Sequence, residues 1–397
     1  MFGILLALTV PAFDGDRANA GPEELVRQLS DEKFDTRQQA HDLLAKLGMD
    51  AFGALNQGLA ATDPEVARRC RELLDQLRVA DLESRLAKFK AGKGSLPGYE
   101  RYLTIAGSGK EARDFFIDMW SSNPIFMAEV EERPDRSAGM VVGTAQYNRP
   151  RGGPALAEVA ALLFAMQNSA IRDGKQPGGQ PVHLDSAAGQ ITNLMNHEVV
   201  KAAVMASKNG EPSPMYKLTV GFVRSQMRSP QTHNMLIHMC MNLNLKESVE
   251  LAEVVLANRG VNHHGRGLAC ALIGKYGSIK DAPLLAAMLD DNTHINQFQL
   301  GQRGQMRGTT EVRDVALAQL VSLTRQSHKD YGFPFAEQGS QFNHFNTYNM
   351  GFTANDKRRS AMTKWKTYAA SRPELQPKQP LKEDPEETGK STPGEDN

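Results

Sequence analysis

The chain lacks most of the patterns that common chemistries require. Its three cysteines, Cys70, Cys240 and Cys270, are too few for a disulfide framework. No Cys-x-x-Cys pair occurs, which excludes a zinc ribbon or a dithiol redox motif. No Gly-x-Ser-x-Gly nucleophile elbow is present. His197-Glu198-Val199-Val200-Lys201 puts lysine where a zinc helix needs its second histidine. Gly107-Ser108-Gly109-Lys110 echoes the end of a P-loop, but Glu111 replaces the hydroxyl residue that would bind Mg²⁺. Lysine plus arginine equals aspartate plus glutamate at 46 each, so no global field favours nucleic acid or an anionic membrane. No apolar run approaches the roughly 20 residues that a membrane-spanning helix needs. Aromatic residues are scarce at 7%.

What is present is a recurring helix. Arg266–Gly277 reads RGLACALIGKYG, and it returns as Arg37–Gly48 and more loosely as Arg313–Thr324. Each copy runs Arg-x-x-Ala and then places apolar residues at helical spacing. Ala40, Leu43, Leu44 and Leu47 share one helix face, and Cys70, Leu73, Leu74 and Leu77 repeat them at an offset of 30 residues. A helix–turn–helix unit of that length cannot cover its apolar face alone, so stacking of units is expected. The expected fold is all-α: helical repeats of armadillo type forming an α-solenoid, with an irregular helical middle.

Residues 1–20 combine an apolar stretch, FGILLALTV, with Ala18-Asn19-Ala20, an A-x-A cleavage pattern. They are expected to be a signal peptide that lacks its basic n-region, which directs the protein to the periplasm or the extracellular space. Residues 21–92 are expected to hold N-terminal repeats, 93–230 an irregular helical region, and 231–371 C-terminal repeats with loop insertions. Residues 133–154 and 172–181, rich in Gly and Pro, are expected as long loops. Residues 372–397 are expected to be a disordered acidic tail. Cys240 and Cys270 fall on nearby predicted helices, and the sequence leaves their pairing open.

The segments KFDTRQQAHDLLAKLG and DPEVARRCRELLDQL resemble bacterial HEAT-like repeats. LPGYERYLTIAGSGKEARDFFIDMW, with the later RDVALAQLVSLTRQSHKDYGF and KRRSAMTKW, resembles a group of exported bacterial proteins. Together these cover about a third of the chain. The resemblance implies an armadillo-type fold and supplies no catalytic residue.

Two segments break the repeat rhythm. The first, 291–310, lengthens one repeat and carries Gln302, Arg303 and Arg307, whose guanidinium forks suit carboxylates. The second, 326–353, gathers most of the late aromatics, including Tyr331, Phe333, Phe335, Phe345 and Tyr348. Aromatics and arginine are enriched at protein interfaces, so Arg303, Arg307, Tyr331, Phe333, Phe335, Phe345 and Tyr348 are the candidate partner-binding residues. The same aromatics suit a cap over the end of a helical stack. His233, His238, His263, His264 and His294 have no carboxylate at ligand spacing, so no metal is assigned. The expectation is a non-enzymatic scaffold that binds an unidentified protein partner, with no cofactor and no catalytic residue. The alternative is an enzyme or small-ligand binder with its pocket in 133–230.

Overall fold

Among residues 20–134, proline and glycine punctuate the helices. The computed structural model describes residues 20–147, 153–172, 184–208, 210–258, 260–301 and 306–377. The expected signal peptide, the 172–181 loop beyond Arg172 and the tail beyond 377 therefore lie outside the described residues. The chain forms two compact units, one of residues 20–104 and 108–134, the other of residues 105–107 and 135 onward. Apart from 105–107, residues 93–134 thus group with the N-terminal helices, and 135–230 with the C-terminal ones.

The first unit comprises α1 (Pro22–Gln28), α2 (Phe34–Leu47), α3 (Phe52–Gly58), α4 (Pro64–Lys90), α5 (Tyr99–Ala106), α6 (Lys110–Ser122) and α7 (Pro124–Glu132). The α4 helix begins at Asp63, whose carboxylate accepts from the Glu65 amide at 2.8 Å, with Pro64 in the first turn. Neither Gly nor Pro follows until Gly92, so α4 runs for 27 residues. The two matched stripes meet in one core: Ala40, Leu44, Cys70, Leu73 and Leu77 are buried together with Leu25, Leu29 and Leu55. Leu47, the last member of the first stripe, is instead 37% exposed. A second cluster sits under α5–α7, where Phe116 packs 4.9 Å from Tyr102 and 6.2 Å from Phe89.

The second unit holds α8 (Ala138–Tyr147), α9 (Leu156–Met166), α10 (Ser169–Arg172), α11 (Asp185–Leu194), α12 (Glu198–Met205), a two-residue ribbon β1 (Ser207–Lys208) and β2 (Glu211–Pro212), α13 (Pro214–Gln226), α14 (His233–Asn242), α15 (Ser248–Ala257), α16 (His263–Tyr276) and α17 (Ala282–Ala286). A hairpin follows, β3 (His294–Leu300) and β4 (Met306–Glu311), then α18 (Val312–Leu323), α19 (Pro334–Glu337) and α20 (Asn355–Ala369). The 133–154 stretch is not one loop: α8 occupies 138–147 of it. α9 is apolar nearly all round and buried from Val159 through Met166. α16 packs between α15 and α18. The backbones of α16 and α18 come close at Gly274, where a Cβ would stand 2.0 Å from Gln319 Oε1.

The chain is thus mostly helical. The three Arg-x-x-Ala helices share one local construction. Ala40, Ala269 and Ala316 are all fully buried. Each arginine ties the chain just before its helix: Arg37 donates to the Asp31 and Glu32 carbonyls at 2.7 and 3.0 Å, Arg266 to the Val261 carbonyl, and Arg313 to the Glu311 carboxylate at 2.6 Å. Two of these helices, α16 and α18, lie side by side, and the third, α2, belongs to the other unit.

Candidate functional site

The two segments that break the repeat rhythm fold against one another. The segment expected as an insertion, 291–310, supplies β3 and most of β4, which pair antiparallel in register through Gln297↔Thr309 and Phe298↔Gly308. On the far edge of β4, Thr309 pairs with Phe352 of the aromatic segment, each amide donating to the other's carbonyl at 3.1 Å. Thr310 Oγ1 adds a bond to the Tyr348 carbonyl at 2.7 Å. The approach is so close that a Cβ on Gly351 would lie 2.0 Å from the Thr309 carbonyl oxygen.

This arrangement divides the candidate residues. Tyr331, Phe333 and Phe335 are buried, at 3%, 0% and 7% exposure. They are core rather than contact surface, because Phe333 packs on Phe352 (4.8 Å between centroids) and on Phe335 (5.5 Å). Tyr331 Oη donates to Gln326 at 2.7 Å. Of the other four, the three described ones face outward to differing degrees. Tyr348 is 49% exposed, its ring 5.9 Å from that of His264. Phe345 is half-buried beside Tyr276, and Arg307 is exposed on β4. Arg303, with Gln302, lies outside the described residues.

Histidines line the inner side of the aromatic segment. His344 Nδ1 donates to Gln319 Oε1 at 2.8 Å, and Gln319 Nε2 returns a bond to the His344 carbonyl at 3.1 Å. His328 stacks on Phe342 at 4.0 Å and bonds the Ala318 carbonyl at 2.9 Å through Nε2, which must carry the proton because a carbonyl only accepts. Burial lowers both rings' pKa, and that of His344 falls to about 4, helped by the nearby charge of Lys275. Among the described residues no three His, Cys, Asp or Glu side chains gather as a metal ion would need. The three thiols are free and buried, and burial pushes Cys240 and Cys270 up to about 12.

One residue the sequence reading passed over holds the assembly together. Arg358 of α20 is 2% exposed and clasps the fully buried Asp314 of α18, with Nε at 2.8 Å from Oδ1 and Nη2 at 3.0 Å from Oδ2. It also reaches the Thr309 carbonyl at 2.9 Å, the Asn355 side chain at 2.5 Å and Glu311 at 3.3 Å. Burial pushes the Asp314 carboxyl up to about 6, against the pull of the Arg358 guanidinium. Asp314 and Glu311 also form a reciprocal cap at the start of α18. A signal existed: Arg358 shares a helix stripe with Ala361, Trp365 and Ala369, all buried, so a cation sat on an apolar face.

Beside this clasp opens a cleft of about 460 Å³, lined by Leu289, Asp290, Glu311, Arg313 and one face of α20. No described helix is long and apolar enough to cross a membrane. Compared with protein-family models, curated proteins and solved structures, the chain finds no match in any of the three.

Proposed function

We propose that this protein is a non-enzymatic interaction protein: an exported scaffold built on HEAT-like helical repeats that binds another protein through the hairpin and aromatic element of its second unit. The observation that carries the reading is Tyr348. A large aromatic ring stands half-exposed at a position held by backbone bonding to β4 and by its contact with His264. Rigid, amphipathic anchors of this kind contribute most to protein–protein affinity. Phe345 and Arg307 complete the proposed contact set. The shared construction of the Arg-x-x-Ala helices, and the side-by-side packing of α16 and α18, support the repeat reading. The alternative, a pocket built by residues 133–230, gains little support, because α9, α11 and α13 spend their side chains on apolar packing there.

The test is co-purification of the full-length tagged protein from its native organism, with identification of captured chains by mass spectrometry. The Arg307→Ala/Phe345→Ala/Tyr348→Ala variant should lose the captured protein while keeping its thermal midpoint. Capture that survives the triple substitution would remove this surface from consideration.

A further inference from the structure

The cleft beside the Arg358–Asp314 clasp has features the interaction reading does not use. Its α20 wall carries Asn355, Arg359, Met362, Thr363 and Lys366, spaced as one helical stripe. Its opposite wall is Leu289, Asp290, Glu311 and Arg313. The lining thus holds four cations, Arg313, Arg358, Arg359 and Lys366, against two carboxylates, Asp290 and Glu311. The pairing within the cleft is uneven. Glu311 is taken by Arg313 at 2.6 Å and by Arg358 at 3.3 Å, and Arg358 is further neutralised by Asp314 beneath. Arg359 and Lys366, both exposed, meet no carboxylate among the described residues. Seven residues apart on one helix, their Cα atoms lie about 10.5 Å from each other along the axis. Between them on α20 lies Met362, and Leu289 adds a second apolar side chain to the lining.

We propose that this cleft is a binding site for a small oxyanion-bearing molecule, a carboxylate or phosphate, held by Arg359 and Lys366. Arg359 offers a planar fork that engages two oxygens of one such group, and Lys366 supplies a second, compact charge one helical span away. Spacing of that order favours a ligand with two anionic groups over a single inorganic ion. The fixed base beneath the cleft is Arg358, whose guanidinium is fully engaged by Asp314, Glu311, Asn355 and Thr309, so the anion falls to Arg359 and Lys366. The site makes no use of Arg307, Phe345 or Tyr348, so it stands or falls separately from the proposed partner surface.

The experiment is isothermal titration calorimetry of the full-length protein with three probes: inorganic phosphate, citrate and glutarate. Saturable heat is expected, with citrate or glutarate binding more tightly than phosphate. The Arg359→Gln/Lys366→Gln variant should weaken binding at least tenfold with an unchanged thermal midpoint, since both side chains are exposed. Asp290→Asn should act in the opposite direction and tighten binding several-fold, because it removes a repelling carboxylate from the facing wall. Absence of saturable heat with all three probes would overturn the proposal. So would a double variant that binds like the parent protein, or an Asp290→Asn variant that binds more weakly. Phosphate binding as tight as citrate binding would overturn the two-group ligand.

Discussion

Arg358 and Asp314, 44 residues apart in sequence, form a two-pronged ion pair with almost no access to solvent. The pair joins α18 to α20, and the same guanidinium holds the Thr309 carbonyl of the hairpin. Removing one partner strands a charge that the interior cannot solvate. Arg358→Ala or Asp314→Ala should each cost about 3–5 kcal/mol, read by urea unfolding. An Arg358→Met/Asp314→Leu double variant should cost less than the sum of the two single changes. Strict additivity would mean the pair is not coupled.

Acid should weaken the second unit through His344. Its folded pKa, about 4, lies below the ordinary value of 6.5. The unfolded chain therefore takes up the proton first as pH falls, and stability present above pH 6.5 is lost progressively toward pH 4. Asp314 titrates near 6 with the opposite sign, because its folded pKa is raised and protonation favours the folded form. The informative comparison is therefore wild type against His344→Gln. Between pH 6.5 and 4 the wild type should lose more stability than the variant, and parallel unfolding curves would contradict the assignment.

The candidate aromatics should separate cleanly by stability. Phe333→Ala empties a fully buried site and should cost about 3–5 kcal/mol. Tyr348→Ala and Arg307→Ala, at exposed positions, should each stay within about 0.5 kcal/mol. Equal losses at Phe333 and Tyr348 in thermal or urea unfolding would contradict the division into core and surface. Deleting the whole aromatic segment is a poor probe of binding, since it removes core residues as well.

Gly351→Ala should open the contact between β4 and the aromatic segment. The added methyl meets the Thr309 carbonyl at a distance no real Cβ occupies. Limited proteolysis should cut within 336–349 faster in this variant than in the parent, and an unchanged rate would count against the bridge.

Thiol labelling offers a check on the helical cores. Cys70, Cys240 and Cys270 are fully buried, and burial raises the pKa of each thiol. A thiol-specific reagent followed by mass spectrometry should modify none of them in the native protein, and all of them in urea. Rapid native labelling of Cys240 or Cys270 would show that α14 or α16 is not packed as described.

The helices were legible because apolar spacing and punctuation acted together: Asp63-Pro64 starts α4, and nothing interrupts it until Gly92. The hairpin was not legible. HINQFQL alternates weakly, since Asn296 and the flanking glutamines blur the apolar phase, and a register shift between His294 and Asn296 breaks it further. The aromatic segment stood out as a break in the repeat rhythm, but its composition could not say which rings would be buried. Phe333 and Tyr348 look alike in sequence, and the difference lies in long-range contacts: Phe333 packs on Phe352, which β4 holds through Thr309, and Tyr348 stands beside His264. For Arg358 the apolar stripe of Ala361, Trp365 and Ala369 marks the cation as buried, but its partner Asp314 lies on a different helix, beyond the reach of any local pattern.

The stem of the hairpin is closed before its strands begin. The Arg313 amide donates to the Asp291 carbonyl at 2.9 Å, the Val312 amide to the Thr293 carbonyl at 3.0 Å, and the Asp291 carboxylate receives Arg266 at 2.8 Å. Both ends of the excursion are thus stapled to the helices that flank it, and Asp291 anchors α16 and α18 at once. The exposed side of the paired strands, where Arg307 stands, can therefore change its outward chemistry while the helical frame at their base stays the same.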